Sequence, residues 1–315
     1  MAGTTQVTTR SATKDKVIRL AGGAAGFNWL PVYLAEQRGA FVQAGLRLDI
    51  QRLGSVDKAT AAVKTGQADI AITPPEGAIK DCAAGGNLRI VASNTVRLPL
   101  TLVANAKYKR IESLRGARLG TSSMTEGTAL YTMEMLRKHG LAYPGDYEFA
   151  VVGVHPARWK ALQEGAIEAA VQPPPFNFLA IDAGYTDLGE VSDYISDILF
   201  TAVVVNSEWA QENRAPLIVF LKVLMDATRR FHEPAYDDQL IALATEITQA
   251  EGKYGRQTIE YLREKHTFER DLSIPAAAFA TSLEMMRKAG MDAGLSAQTS
   301  RVVDDSFRKA ALSAA

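Results

Sequence analysis

Two stretches constrain this chain's fold more than any others: Asn28–Asp49, NWLPVYLAEQRGAFVQAGLRLD, and Lys64–Glu76, KTGQADIAITPPE. The first reads as a helix, a glycine stop, a short second turn and a strand. Asn28 is placed to cap the helix, and Pro31 fits the first turn, where its missing N–H costs nothing. Gly39 supplies the stop. Leu46, Leu48 and Ile50 then alternate with Arg47, Asp49 and Gln51, the period of a half-buried strand. In the second stretch Gly66 ends another helix, and Ala68–Thr73 is a short apolar strand running into Pro74, Pro75 and Glu76. A strand that stops at a polar, kinked segment presents its carboxyl end, and in open α/β sheets ligands bind there.

The same alternation continues along the chain. Val17–Ala21, Leu46–Gln51, Ala68–Thr73 and Arg89–Ser93 read as strands with helices between them, the βαβ pattern of a parallel sheet. Leu100–Ala104 leaves that unit. A second α/β unit follows, with strands at Arg118–Thr121, Phe149–Val152 and Ala169–Val171 and a helix at Glu126–His139. Leu199–Val205 is an apolar strand that returns to the first unit. Ser207–Ala315 reads as nearly all helix, over Ala215–Phe231, Asp237–Glu251, Arg256–His266, Pro275–Ala289 and Ala297–Leu312. Two α/β units joined by two crossings give a two-lobed molecule with a cleft. Lobe one is expected from residues 17–104 plus 199–315 and lobe two from 105–198. Residues 1–16 are polar and Thr-rich, the composition of a disordered segment.

Composition narrows the function. At 315 residues the chain is long enough for two cored domains, and 47% apolar with 22% charged residues is ordinary for a globular protein. A formal net charge of zero without a basic run argues against nucleic acid as a partner. The lone cysteine, Cys82, excludes an intrachain disulfide and the usual cysteine zinc sites; no metal site or cofactor is expected. No apolar stretch approaches the ~20 residues that span a bilayer. The opening segment MAGTTQVTTRSATKDK has none of the parts of a signal peptide. A removed signal and a cytoplasmic location are both consistent with it.

Four ordered motifs carry a family resemblance. Pro31, Tyr33, Ala35, Gly39, Phe41, Gly45 and Leu46 form the first; Gly66, Ala68, Asp69, Ile70 and Ala71 the second. The third, I-x-S-L-R-G-x-R-L-G, runs from Ile111 to Gly120. The fourth, A-L-x-x-G-x-I-(D/E)-A-A, covers Ala161 to Ala170, with Glu168 where Asp is usual. The chain resembles the substrate-binding proteins of ABC importers that serve sulfonates, nitrate, taurine and pyrimidine precursors of thiamine. That resemblance implies an α/β, type II periplasmic-binding-protein fold: two parallel-rich sheets flanked by helices, a cleft between the lobes and a helical C-terminal region.

Four loops are expected to line the cleft. In Gly22–Trp29, GGAAGFNW, the small residues admit a ligand to the backbone; Gly26 and Asn28 precede the helix, while Phe27 and Trp29 can stack on a flat ligand or pack in the core. The spacing is not the dinucleotide fingerprint G-x-G-x-x-G. In the second loop Thr73 and Pro74 end a strand, and Glu76 either meets a ligand or sits near a helix start favoured by the dipole. The third, TSSMTEGT, brings five hydroxyls to a helix start, among them Thr121, Ser122, Ser123 and Thr128. One hydroxyl suffices for a cap, and the surplus with free N–H groups suits an anion. The fourth is split. His155 precedes Pro156, Arg158 can reach an anion bidentately, Pro174 belongs to a stiff wall and Phe176 can stack. Asn94 and Arg97 complete the anion pocket from lobe one.

Three functions fit this pattern. One is a solute-binding protein, a monomer or weak dimer, that closes on a small organic anion, a carboxylate or sulfonate that can be aromatic, and delivers it to an ABC permease. Another is a cytoplasmic enzyme on the same fold, a decarboxylase or other lyase using His155, Glu76 or Arg158. Desulfinase chemistry on the family pattern is excluded, because the loop after the first strand lacks its cysteine nucleophile. A third is a cytoplasmic ligand sensor whose helical C-terminal region contacts a partner.

Overall fold

A computed structural model of the chain describes residues 15–291 and 301–313. Two mixed sheets of five strands each form its frame. The first has the order β2 (Leu46–Arg52), β1 (Lys16–Gly22), β3 (Ile70–Thr73), β10 (Thr201–Asn206), β4 (Leu88–Thr95). The second has the order β7 (Glu148–Val151), β6 (Arg118–Thr121), β8 (Ala169–Gln172), β5 (Thr101–Ala104), β9 (Thr186–Glu190). β1 runs parallel to β2 and β3, and β6 parallel to β7 and β8; the antiparallel members are β10 in the first sheet and β5 in the second. This is the two-lobed periplasmic-binding-protein architecture.

The motif residues hold this frame. Gly39 and Gly66 have φ of 64° and 73°, left-handed values that a side chain would strain. Gly39 thereby separates α1 (Leu30–Gln37) from α2 (Ala40–Gln43), and Gly66 ends the turn after α3 (Val56–Lys64). Asp69 accepts from the Arg19 backbone N–H at 2.8 Å and from its guanidinium at 2.6 Å, while Arg19 also reaches the Gly66 carbonyl at 2.8 Å. That set ties the exit of α3 to the middle of β1. Glu168 does the same in the second sheet, accepting from Lys107, Tyr108 and the Arg118 N–H at 2.7, 2.6 and 3.0 Å. The Lys107 ammonium and Tyr108 hydroxyl pull its carboxyl down to about 2.

Several boundaries differ from expectation. Asn28 does not cap α1. It lies in a 3-10 turn, Phe27–Trp29, and the N-cap position falls to Trp29. The strand Thr101–Ala104, expected at the end of lobe one, pairs with β8 and β9 and belongs to the second sheet, so the first crossing lies at 96–100. β9 is an added strand; its sequence TDLGE has no apolar alternation and it is ordered by its neighbour β5. The expected disordered segment 1–16 lies mostly outside the described residues, and Lys16 already begins β1. The expected helix Ala297–Leu312 falls partly outside them; of its described part only Ser306 onward is helix, while Val303 bridges Ile90 beside β4.

The crossings hydrogen-bond to each other. Ile198 and Phe200 donate to the carbonyls of Val96 and Thr95, and Val191 donates to that of Leu100. Beyond β10 come α8 (Ser207–Glu212), α9 (Arg214–Phe231), α10 (Asp237–Thr248), α11 (Gly252–Glu264) and α12 (Ala276–Lys288). α9 buries Phe220 against Phe41, with ring centroids 5.6 Å apart. The helical region also reaches lobe two. Lys253 and Tyr254 bond Asp182 at 2.9 and 2.8 Å, and Lys288 bonds Glu134 at 3.1 Å.

Phe41 is fully buried at the joint between the first helices and α9. Phe41→Ala should lower unfolding free energy by about 3–5 kcal/mol in urea denaturation. A loss under about 1 kcal/mol would show that this joint does not hold the helical region.

Candidate functional site

A cavity of ≈ 70 Å³ lies between the sheets at the carboxyl ends of β1, β3, β6, β7 and β8. Lobe one supplies Gly23, Ala24, Phe27, Asn28, Trp29 and Pro74 to its wall. Lobe two supplies Ser122, Gly127, Thr128, Val154, His155, Arg158 and Pro173. The crossings supply Leu100, Phe200 and Thr201. Three helix starts meet here: α1, α5 (Thr128–Arg137) and α6 (His155–Gln163). None of the three has a side-chain cap, so the positive ends of their helix dipoles face the wall.

Arg158 dominates the electrostatics. It is 3% exposed, and its Nε and Nη1 donate only to the carbonyls of Val171 and Gly153, at 3.1 and 3.4 Å. Among the described residues no carboxylate pairs with it within salt-bridge distance, and burial alone pulls its pKa down to about 9. A buried guanidinium left without a counter-charge is costly and calls for an anion.

His155, on the same helix as Arg158, closes the wall against lobe one. Its Nε2 lies 3.0 Å from the Ala25 carbonyl, and because a carbonyl only accepts, Nε2 carries the proton. The ring stands 5.3 Å from that of Phe176. Burial, then the Arg158 charge, pull its pKa down to about 4 against the pull of the Ala25 bond. His155 is therefore a neutral cross-lobe donor. A Cβ on Gly26 would come 2.7 Å from His155 Cε1, so glycine is what lets this ring approach the loop.

The expected hydroxyls behave differently from plain caps. Thr128 Oγ1 meets Thr121 Oγ1 at 3.0 Å and Ser122 Oγ at 3.3 Å, while Gly127 takes the N-cap position of α5 with φ 64°. Ser123 crosses the cleft and donates to Asp57 Oδ1 at 3.0 Å. Of the residues expected at the site, the structure brings Phe27, Asn28, Trp29, Pro74, Ser122, Thr128, His155 and Arg158 to the cavity wall. Gly26, Asn94, Thr121 and Phe176 stand one layer behind. Asn94 donates to the Asn28 carbonyl and to Thr201 Oγ1, at 2.9 and 3.0 Å.

The rest are displaced from it. Thr73 meets Thr60 Oγ1 at 3.4 Å, on the α3 side. Arg97 is ion-paired with Asp197, so its charge is already neutralised. Pro173, not Pro174, lines the wall. Ser123 is engaged with lobe one, and Glu76 is fully buried beside Tyr131 rather than at the wall. The sequence reasoning missed Phe200 and Thr201. Their signal was available: a strand that returns across a cleft passes its first residues through the wall.

The profile of a protein family described as NMT1/THI5 like matches residues 26–234. No curated protein sequence matches the chain. Solved structures share its fold. A protein of Bordetella bronchiseptica RB50 is 19% identical, with a TM-score of 0.83, covering 96% of this chain and 98% of that one. The periplasmic nitrate-binding protein NrtA of Synechocystis PCC 6803 is 13% identical, with a TM-score of 0.82 and coverage of 96% and 90%. The alkanesulfonate-binding protein SsuA of Xanthomonas axonopodis pv. citri, bound to MOPS, is 13% identical, with a TM-score of 0.73 and coverage of 94% and 99%.

His155 gives a pH test. A histidine held neutral contributes stability that is whole above its ordinary value of 6.5 and is lost as pH falls toward about 4. Imidazole NMR should show His155 untitrated at pH 5.5, and between pH 7 and 5 the wild type should lose more stability than His155→Phe. A ring that titrates near 6.5 would remove it from the closed wall.

Proposed function

Because the chain belongs to the NMT1/THI5-like family, whose profile covers 26–234, we propose that its cleft captures a small organic anion and presents it to an ABC importer. The observation that carries this reading is Arg158, a buried guanidinium at the cavity wall without a carboxylate partner among the described residues. The positive ends of the uncapped helices α5 and α6 beside it favour the same charge. A carboxylate or sulfonate supplies the oxygens these donors need. Nitrate and alkanesulfonate, the ligands named for two neighbours of this fold, are anions too.

The remainder of the wall suits an apolar, flat body. Phe27 and Phe200 lie nearly parallel, 10° apart in plane with centroids at 6.2 Å, and Trp29 and Val56 complete that side. An aromatic or short alkyl group bearing one anionic head matches both halves. Each lobe supplies part of the contacts, so closure about the two crossings follows from the ligand's higher affinity for the closed state. Binding of this kind needs no covalent step.

A thermal-shift screen of aromatic and aliphatic carboxylates, sulfonates and pyrimidines tests the proposal, since a ligand that binds only the folded state raises the melting temperature by mass action. Hits should be recovered unchanged by mass spectrometry; conversion to a product would replace the binding reading with an enzyme. For a stabilising anion, Arg158→Ala should weaken binding about 10- to 100-fold and Thr128→Ala less, with little loss of stability in either. Equal affinity in Arg158→Ala and wild type would move the anion site elsewhere.

A further inference from the structure

At the start of α5 the lobes also meet through carboxyl groups. Lobe one contributes Asp57, from the first turn of α3, and Glu76, from the first turn of α4 (Glu76–Ala83). Lobe two contributes Glu126, just before α5. Glu126 inserts between the starts of α3 and α4. A methyl placed on Gly77 would come 2.4 Å from Glu126 Oε1 and 2.7 Å from Thr60 Cγ2. Gly77 is therefore the notch that admits this carboxyl.

The geometry of the cluster leaves its carboxyl oxygens short of donors, and the Asp57 charge adds to that of Glu76 at Glu126. Two ionised carboxylates only accept, so neighbouring carboxyls can bond one another only when one of them is protonated. Glu76 Oε1 accepts from the Tyr131 hydroxyl of lobe two at 3.1 Å. Among the described residues, Glu76 Oε2 and Glu126 Oε2 are buried with no hydrogen-bond partner. Glu76 is 0% exposed and Glu126 5%. The other charged groups facing the cluster are Asp57 on α3, which is exposed and also accepts from Ser123, and Lys80 on α4, whose ammonium is exposed to screening water. One screened cation against three carboxyls leaves the closed interface short of positive charge, and a bound proton is the remedy the geometry offers.

We propose that closure of the two lobes takes up a proton, held by Glu126 against Glu76 and Asp57, so that this interface is a pH-sensitive latch on the cleft. Opening carries Glu126 away with lobe two and returns each carboxyl to water. The latch concerns the lobes themselves and stands whichever ligand the cleft takes. Its direction follows from the raised acidity constants in the closed form. Burial, then the Glu76 charge, push Glu126 up to about 9, and burial pushes Glu76 up to about 7. A group whose value is raised on closing favours the closed form at low pH and loses that contribution as pH rises through the raised value. The cleft therefore loosens progressively as pH rises above the ordinary carboxyl value of 4.5, and the loss is complete only above about 9.

Small-angle scattering of the ligand-free full chain at pH 6 and pH 9.5, at one salt concentration, tests the latch. The wild type should show a larger radius of gyration at pH 9.5 with unchanged circular dichroism. Glu126→Gln, which keeps the shape and an N–H donor but no charge, should stay compact at both values. Glu164→Gln, a surface control, should expand like the wild type. A wild-type radius that does not change with pH overturns the proposal, as does expansion of Glu126→Gln equal to the wild type. Expansion accompanied by loss of helix signal is unfolding and overturns it too. Should Glu126→Gln fail to fold, the wild-type titration and Glu76→Gln decide: a wild type that expands and a Glu76→Gln variant that expands less support the latch.

Discussion

Two hydrogen-bonded crossings govern this molecule. The segments between β4 and β5 and between β9 and β10 lie side by side and bond to each other through Val96, Thr95 and Leu100. Each sheet holds one of their strands antiparallel to its parallel members. Because parallel strands feed into helices at one end only, this junction turns the carboxyl ends of β1 and β3 toward those of β6, β7 and β8. Helix starts and loop backbones are thereby gathered on a single cleft. The helical C-terminal region braces the arrangement, since α11 and α12 reach Asp182 and Glu134 of lobe two.

The cleft is electrically divided. At one side Arg158 lacks a counter-charge among the described residues. At the other, Asp57, Glu76 and Glu126 have more carboxyls than cations. Neither arrangement is favourable for folding by itself, because a buried charge without a partner carries its full desolvation cost. The two imbalances find different remedies: an anionic ligand for the guanidinium and a proton for the carboxyls. Neutral His155, donating to Ala25, and Ser123, donating to Asp57, link the lobes at both sides.

The four motifs that mark the family are structural in this chain. Asp69 anchors Arg19, Glu168 gathers Lys107, Tyr108 and Arg118, and the Tyr33 hydroxyl accepts from Arg52 at 2.6 Å. Phe41 packs on α9. They explain why the frame was legible from the residues while the ligand was not: they lie under the cleft, not on its wall. The loops after the strands were legible for the same topological reason, which is why Phe27, Trp29, Thr128, His155 and Arg158 could be named in advance of their geometry. Local sequence does not show that Asp197 neutralises Arg97; Glu76 takes the helix start that is one of its two expected readings, and only the fold shows that lobe two buries it there.

By itself the sequence determined the alternation of helix and strand, the glycine stops, and which loops end the parallel strands. These follow from periodicity and backbone sterics acting over a few residues. Only the tertiary structure decided that Arg158 would be buried without a carboxylate among the described residues, that β5 would join the second sheet, and that Glu126 would face Glu76 across the cleft. Residues 76 and 126 belong to different lobes, and a charge's environment depends on which groups are brought near it and how much water is excluded. Neither quantity is a property of a local segment.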